Sequence, residues 1–138
     1  MLEFRLFEPN DLDGVLRLCV AEGWPSFPSD PARARRVLSA PGVTTVVAIE
    51  GGLVVGFAEL FSDGELQAYL ANVAVDATRR GEGAGRRLVT EALRRAGGER
   101  IDLLSEDSSA DFYRAFPHFE KPGFRLYPFH QDHAPQSE

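Results

Sequence analysis

One short stretch carries the most chemical information in this chain: Arg80-Gly81-Glu82-Gly83-Ala84-Gly85-Arg86, extended outward by Arg79 and Arg87. Glycines at alternate positions permit positive φ and let a ligand approach the backbone closely. A helix that follows such a turn leaves its first amides without internal partners. Together these features suit an anion, above all a phosphate. Spacing excludes two common phosphate loops. A dinucleotide-type G-x-G-x-x-G starting at Gly83 needs glycine at position 88, which is Leu88. The G-K-[ST] of a P-loop occurs nowhere in the chain.

The elements that must position this turn can be read from apolar periodicity. Residues 2–7 form an opening strand. Pro9-Asn10-Asp11 starts a helix, with Asn10 or Asp11 as its N-cap and Leu12, Val15, Leu16, Cys19 and Val20 as its buried stripe. Gly23-Trp24-Pro25 ends it. Ser29 or Asp30 caps a second helix that begins at Pro31 and runs to about Ala40. Two strands over 44–50 and 53–61 are joined by Gly51-Gly52 as a hairpin, and a third covers 66–75. These strands are apolar at both parities, so both faces of the sheet are expected to be covered. Leu88, Val89, Ala92, Leu93 and Ala96 are the buried stripe of the helix after the turn. A strand over 100–104, a short helix over 108–116 and a last strand over 123–129 complete the series. The order is β-α-α-β-β-β-α-β-α-β, an α+β fold with a mixed, mostly antiparallel sheet flanked by helices.

Composition narrows the function classes. The 138 residues suit one domain over 1–129, with 130–138 expected to form a loose C-terminal tail. No run of about 18 apolar residues is present, so no membrane partner is expected. The first residues are acidic where a signal peptide would be basic. With a single cysteine as well, the expected compartment is the cytoplasm. Residues 79–100 carry seven arginines against three glutamates, a local +4 in a chain of net charge −6 that leaves −10 elsewhere. A small basic island on an acidic body fits a compact polyanion and not nucleic acid. Cys19 falls on an apolar helix stripe and is expected to pack, not to carry an acyl group. His130 and His133 have metal-like spacing without further ligands, so no metal is expected.

The pattern [RQ]-x-x-G-x-[GA], here Arg80-Gly81-Glu82-Gly83-Ala84-Gly85, strongly resembles the acetyl-CoA-binding element of the GCN5-related N-acetyltransferase (GNAT) superfamily. The resemblance extends to the strand before it, the helix after it, the element order over residues 2–129, and the segments S-A-D-F-Y113 and Pro122-Gly123-Phe124-Arg125. It implies transfer of acetyl from acetyl-CoA directly to a primary amine of a small molecule or peptide. A non-catalytic acyl-CoA-binding or regulatory domain of the same fold is the alternative. The resemblance places the coenzyme A pyrophosphate on the amides of Arg80, Gly81, Glu82, Gly83, Ala84, Gly85 and Arg86. It places the pantetheine arm along Val73, Ala74 and Val75, with an amide near Val73 polarising the thioester carbonyl, where acyl transfer builds negative charge.

For proton transfer the resemblance points to Tyr113 as the acid that protonates the leaving thiolate, although ten positions separate it from Gly123 where the family commonly has a few. The strand before the turn offers no carboxylate, only Gln67, Tyr69 and Asn72. Glu59 on the neighbouring strand and Glu106 beyond the fifth strand are therefore the candidate general bases. Glu59 is useful if buried among Phe57 and Phe61, and merely solvated if it lies at the strand's wet end. The segment between the first two helices is implied to form the acceptor site. Trp24 and Phe27, with Asn72, would hold the amine, and Glu22 or Asp30 its ammonium. A homodimer through an exposed sheet edge is also compatible with the sequence.

Overall fold

The computed structural model describes residues 1–129, so the expected tail and its two histidines lie outside the described residues. The described chain divides into two compact units, the first ending at Asp102 and the second starting at Leu103. Among the described residues no helix is long and apolar enough to cross a membrane.

The first unit holds a five-stranded sheet in sequential order: β1 (Glu3–Leu6), β2 (Val43–Glu50), β3 (Leu53–Ser62), β4 (Gln67–Val75) and β5 (Arg100–Asp102). The first three pairings are antiparallel through β4, and β4 pairs β5 in parallel. Helices α1 (Leu12–Glu22) and α2 (Pro31–Leu38) precede β2, and α3 (Ala84–Ala96) connects β4 to β5. The hairpin, the α1–α2 pair and the β-α-β crossover thus stand where periodicity places them.

Both sheet faces are covered, as the two-parity apolar strands require. On one face, Val47, Val54, Phe57 and Ala74 form a core with Val15, Leu18 and Cys19 of α1 and Leu38 of α2. On the other lies α3, which approaches the sheet at Gly56. A Cβ there would stand 2.9 Å from Leu88 Cδ1 and 3.2 Å from the Ala74 carbonyl oxygen. The α1 stripe is shifted from its expected phase: Leu18 is buried, whereas Val20 is exposed. Fixing the helix on Val15 and Cys19 turns Val20 outward and brings Leu18 in, because residues three and four apart share a face.

One local expectation holds in part and two are corrected. Asp11 is the N-cap residue of α1, as expected, but its side chain makes no cap hydrogen bond. A 3-10 turn, Pro9–Asp11, leads into the helix, and the buried Asp11 carboxylate is engaged otherwise. It accepts from Arg5 Nη1 and Nη2 at 2.7 and 2.9 Å and from the Glu8 amide at 2.8 Å. The strand expected over 100–104 stops at Asp102, since its ladder with β4 spans three residue pairs, ending at Tyr69 opposite Asp102. The strand expected over 123–129 does not form: that segment enters no ladder, and Phe124, Leu126 and Phe129 are exposed. A strand needs a partner, and its residues' β propensity alone cannot supply one.

The second unit contains a 3-10 turn, Asp107–Ser109, running into α4 (Ala110–Arg114). Arg114 bridges Asp111 at 3.3 Å and Glu120 at 3.1 Å, which folds the long 114–120 connection back on the helix.

Asp11 gives a stability prediction. Burial opposes its charge, but the Arg5 and Glu8 hydrogen bonds outweigh this and hold its carboxyl below the usual carboxylate range. A depressed folded-state pKa means that the contribution is complete above the unfolded value near 4 and is lost as pH falls through the folded value. Asp11→Asn is expected to lower unfolding free energy at neutral pH by about 2 kcal/mol. It should also flatten the acid limb of stability against pH. Denaturant titrations of both proteins from neutral to acid pH measure both effects.

Candidate active site

The β4 strand and the turn after it form the centre of the site. Beyond Tyr69, no strand of the described residues pairs the outer edge of β4. The direction of its backbone groups follows from register. The Asp76 amide donates to the Val55 carbonyl at 2.8 Å, making those two a hydrogen-bonded pair. Alternate pairs along an antiparallel ladder repeat that role. Ala74 opposite Phe57 and Asn72 opposite Glu59 therefore bond to β3, while Val73 and Val75 aim their N–H and C=O groups at the open edge. Arg80 confirms the direction at one point, since its Nε donates to the Val75 carbonyl at 3.2 Å.

The strand then feeds a 3-10 turn, Ala77–Arg79, and the glycine turn. Gly81 and Gly83 have φ of 80° and 84°, with no atom within 4 Å of a Cβ built on either. Gly83 is the N-cap of α3, and Gly85 already lies inside the helix. The turn thus presents open backbone at the N-terminus of a 13-residue helix, which suits a pyrophosphate through amides and helix dipole alike. The residues present fit the phosphate end of coenzyme A.

The flanking arginines do less than their number suggests. Arg79 pairs with Glu50, Arg80 pairs with Glu22 at 2.6 Å, and Arg87 stacks on the Phe4 ring with Cζ 4.2 Å from its centroid. Asp76, just before the turn, is held below the usual carboxylate range by the Thr78 hydroxyl and amide and then by Arg17. Arg17 reaches it at 3.2 Å while also donating to the Val54 carbonyl at 2.6 Å. None of these long-range pairs was legible in the sequence, because their members stand tens of positions apart.

The candidate acceptor residues gather on the sheet face under α1 and α2. Glu59 is 1% exposed, so the solvated strand end is not its place. It shares a face with Phe57 two residues before it, and Asn72 shares one with Ala74. Asn72 Nδ2 donates to Glu59 Oε1 at 2.8 Å. A β-bulge permits this contact: Glu59 faces Asn72 and Leu60 faces Leu70, so Ala71 is the extra residue on β4. Nearby on this face, Thr45 Oγ1 donates to the Leu38 carbonyl at 2.9 Å. Trp24 and Phe27, from the loop between α1 and α2, are partly buried against the core that includes Phe57 and Ala74. Gly23, at φ 78°, closes α1 and turns the chain into that loop. Asp30 is committed elsewhere, as the N-cap of α2, accepting from the Arg33 amide at 3.2 Å.

Trp24, Phe27, Glu59, Asn72, Val73, Ala74, Val75 and the residues from Arg80 to Arg86 all belong to the first unit. Glu106 and Tyr113 belong to the second. Glu106 is exposed and lies beyond the end of β5, so it is not at a strand terminus. Its carbonyl accepts from the Ser109 amide. Tyr113 is partly buried and meets Phe112 edge-on at 4.9 Å, and Phe112 meets Phe116 at 5.6 Å.

Known proteins resemble this chain over most of its length. Residues 10–117 match the model of the acetyltransferase (GNAT) family. No curated protein matches the chain. Among solved structures, an acetyltransferase of Trypanosoma brucei is 26% identical, with a TM-score of 0.71 over 92% of this chain and 99% of that one. A protein of Deinococcus radiodurans R1, described as an acetyltransferase, is 28% identical, with a TM-score of 0.74 over 92% and 88%. An aminoglycoside N-acetyltransferase, AAC(6′)-Iy, in complex with CoA, is 18% identical and shares the fold, with a TM-score of 0.73 over 93% and 95%. The chain belongs to the acetyltransferase (GNAT) family.

Proposed function

We propose that this protein transfers the acetyl group of acetyl-CoA to a primary amine. The observation that carries this reading is continuous backbone. The open edge of β4, with Val73 and Val75 directed outward, leads into the positive-φ turn at the α3 N-terminus. The amides of Arg80 to Arg86 would hold the pyrophosphate, and Val73, Ala74 and Val75 the pantetheine arm. Acetyl-CoA supplies the activated thioester. The Val73 N–H would donate to the thioester oxygen, where charge develops in the transition state.

Glu59 is our general base, held in place by Asn72. Asn72, Trp24 and Phe27 line the acceptor side. Tyr113 is the proposed proton donor to the thiolate. A thiol near pKa 8.5 leaves fairly well unaided, so the donor's contribution is modest. Tyr113→Phe is therefore expected to lower kcat about tenfold with little change in KM. Steady-state kinetics over a range of pH measures this, and identical rates for both proteins at every pH would return Tyr113 to packing.

A second reading, a domain that binds acyl-CoA without transferring it, draws support from the deep burial of Glu59, which a structural carboxylate would share. A panel of amines assayed at saturating acetyl-CoA separates the two. Thiol release with any amine supports transfer, and saturable binding without thiol release over the whole panel supports the second reading.

A further inference from the structure

The Glu22–Arg80 ion pair joins two regions that the proposed function assigns to different substrates. Arg80 opens the phosphate turn, and Glu22 ends α1 two residues before Trp24. The pair is 2.6 Å apart, and the same guanidinium donates to the Val75 carbonyl at 3.2 Å. We propose that Glu22 serves two partners in turn: Arg80 in the free protein, and a cationic group of the acceptor amine once the pyrophosphate has drawn Arg80 away. The inference rests on the acetyl-CoA reading above.

Four features support the exchange. First, the pair is lightly held. The Arg80 side chain is 57% exposed and Glu22 26% exposed, and exposed pairs contribute little. A guanidinium on a pyrophosphate gains charge-assisted, two-pronged hydrogen bonds. Second, Arg80 sits on the Val75 carbonyl, one of the outward-facing groups of β4 that a pantetheine amide would use. Binding along β4 and release of Arg80 therefore favour one another. Third, the neighbouring carboxylates are differently held. Asp76 also accepts from Thr78, and Glu50 pairs with both Arg79 and the N-terminal amine. Those fix α1 and the turn, whereas Arg80 is the one partner of Glu22 among the described residues. Fourth, Glu22 occupies the C-terminal turn of α1, where the helix dipole disfavours a carboxylate. Once Arg80 leaves, a replacement cation is favoured.

The acceptor's chemistry follows. The amine that attacks must be neutral, so the cation on Glu22 is a second one. The favoured acceptor carries a second cationic group beside the attacking amine, and a diamine is the simplest case.

The test compares wild type, Glu22→Gln, Arg80→Gln and the double variant. Calorimetry measures acetyl-CoA binding, and kinetics at saturating acetyl-CoA compares a linear diamine with the monoamine of the same chain length. Removing the competitor for Arg80 should tighten acetyl-CoA binding by about twofold to fivefold in Glu22→Gln, with no such gain when Arg80 is already glutamine. Wild type should prefer the diamine by about tenfold in kcat/KM, and Glu22→Gln should lose that preference through the diamine's KM. Weaker acetyl-CoA binding by Glu22→Gln would make Glu22 a strut and overturn the exchange. So would a wild type that does not distinguish the two amines, or acetylates neither. Failure of wild type to bind acetyl-CoA would overturn the proposed function itself, a result visible before any variant is made.

Discussion

Gly83→Asp is expected to abolish acetyl-CoA binding while leaving the fold in place. Gly83 caps α3 at φ 84°, a conformation that costs an L-residue about 1 kcal/mol, so the strain alone is tolerable in a domain of this size. The effect on binding is far larger. An added side chain meets no protein atom within 4 Å at its Cβ, so it projects into the open space that the turn presents. A carboxylate there would occupy the anion's position and repel the pyrophosphate at the helix N-terminus. Affinity should fall by about a hundredfold or more, since a phosphate-binding turn loses both access and its favourable field. Gly83→Ala separates the terms: it carries the strain without the charge and should lose much less. Calorimetry measures the affinities and thermal unfolding the fold. Unchanged affinity in Gly83→Asp would remove the turn from the coenzyme site.

Glu59→Gln is expected to lower kcat by about a hundredfold to a thousandfold, the range of a positioned general base. The substitution preserves shape, and its amide oxygen can still accept from Asn72 Nδ2, which now donates at 2.8 Å. Stability should change little, because the site stays filled and hydrogen-bonded. The fall should appear in kcat with acetyl-CoA affinity intact, since Glu59 lies on the sheet face under α1 and α2 and not on the open β4 edge. Loss of stability with unchanged turnover per folded molecule would make Glu59 a structural carboxylate instead.

What the sequence made legible, and what it did not, follows the range of each interaction. The glycine turn was readable because its determinants lie within a few residues: two positive-φ glycines and a helix start. The hairpin at Gly51-Gly52 and the buried stripe of α3 were readable for the same reason. The position of Glu59 was not. Its burial depends on α1 and α2 covering one sheet face, and its contact with Asn72 depends on a bulge at Ala71 that no glycine or proline marks. The pairs Glu22–Arg80 and Arg17–Asp76 join residues more than fifty positions apart. The segment 123–129 has the residues of a strand but enters no ladder. Its apolar alternation was a statement about propensity, and pairing is a tertiary property. The arginine island was legible as charge, yet Arg79, Arg80 and Arg87 are engaged within the protein, so the backbone carries more of the anion site than composition implied.

Calorimetric titration of the intact protein with acetyl-CoA at low and moderate salt, with NADH and ATP as controls, decides whether the turn holds coenzyme A. Saturable micromolar binding of acetyl-CoA in preference to both controls, weakening as salt rises, is the expected result. Absence of acetyl-CoA binding, or equal binding of NADH, would contradict it: the glycines would then only join β4 to α3.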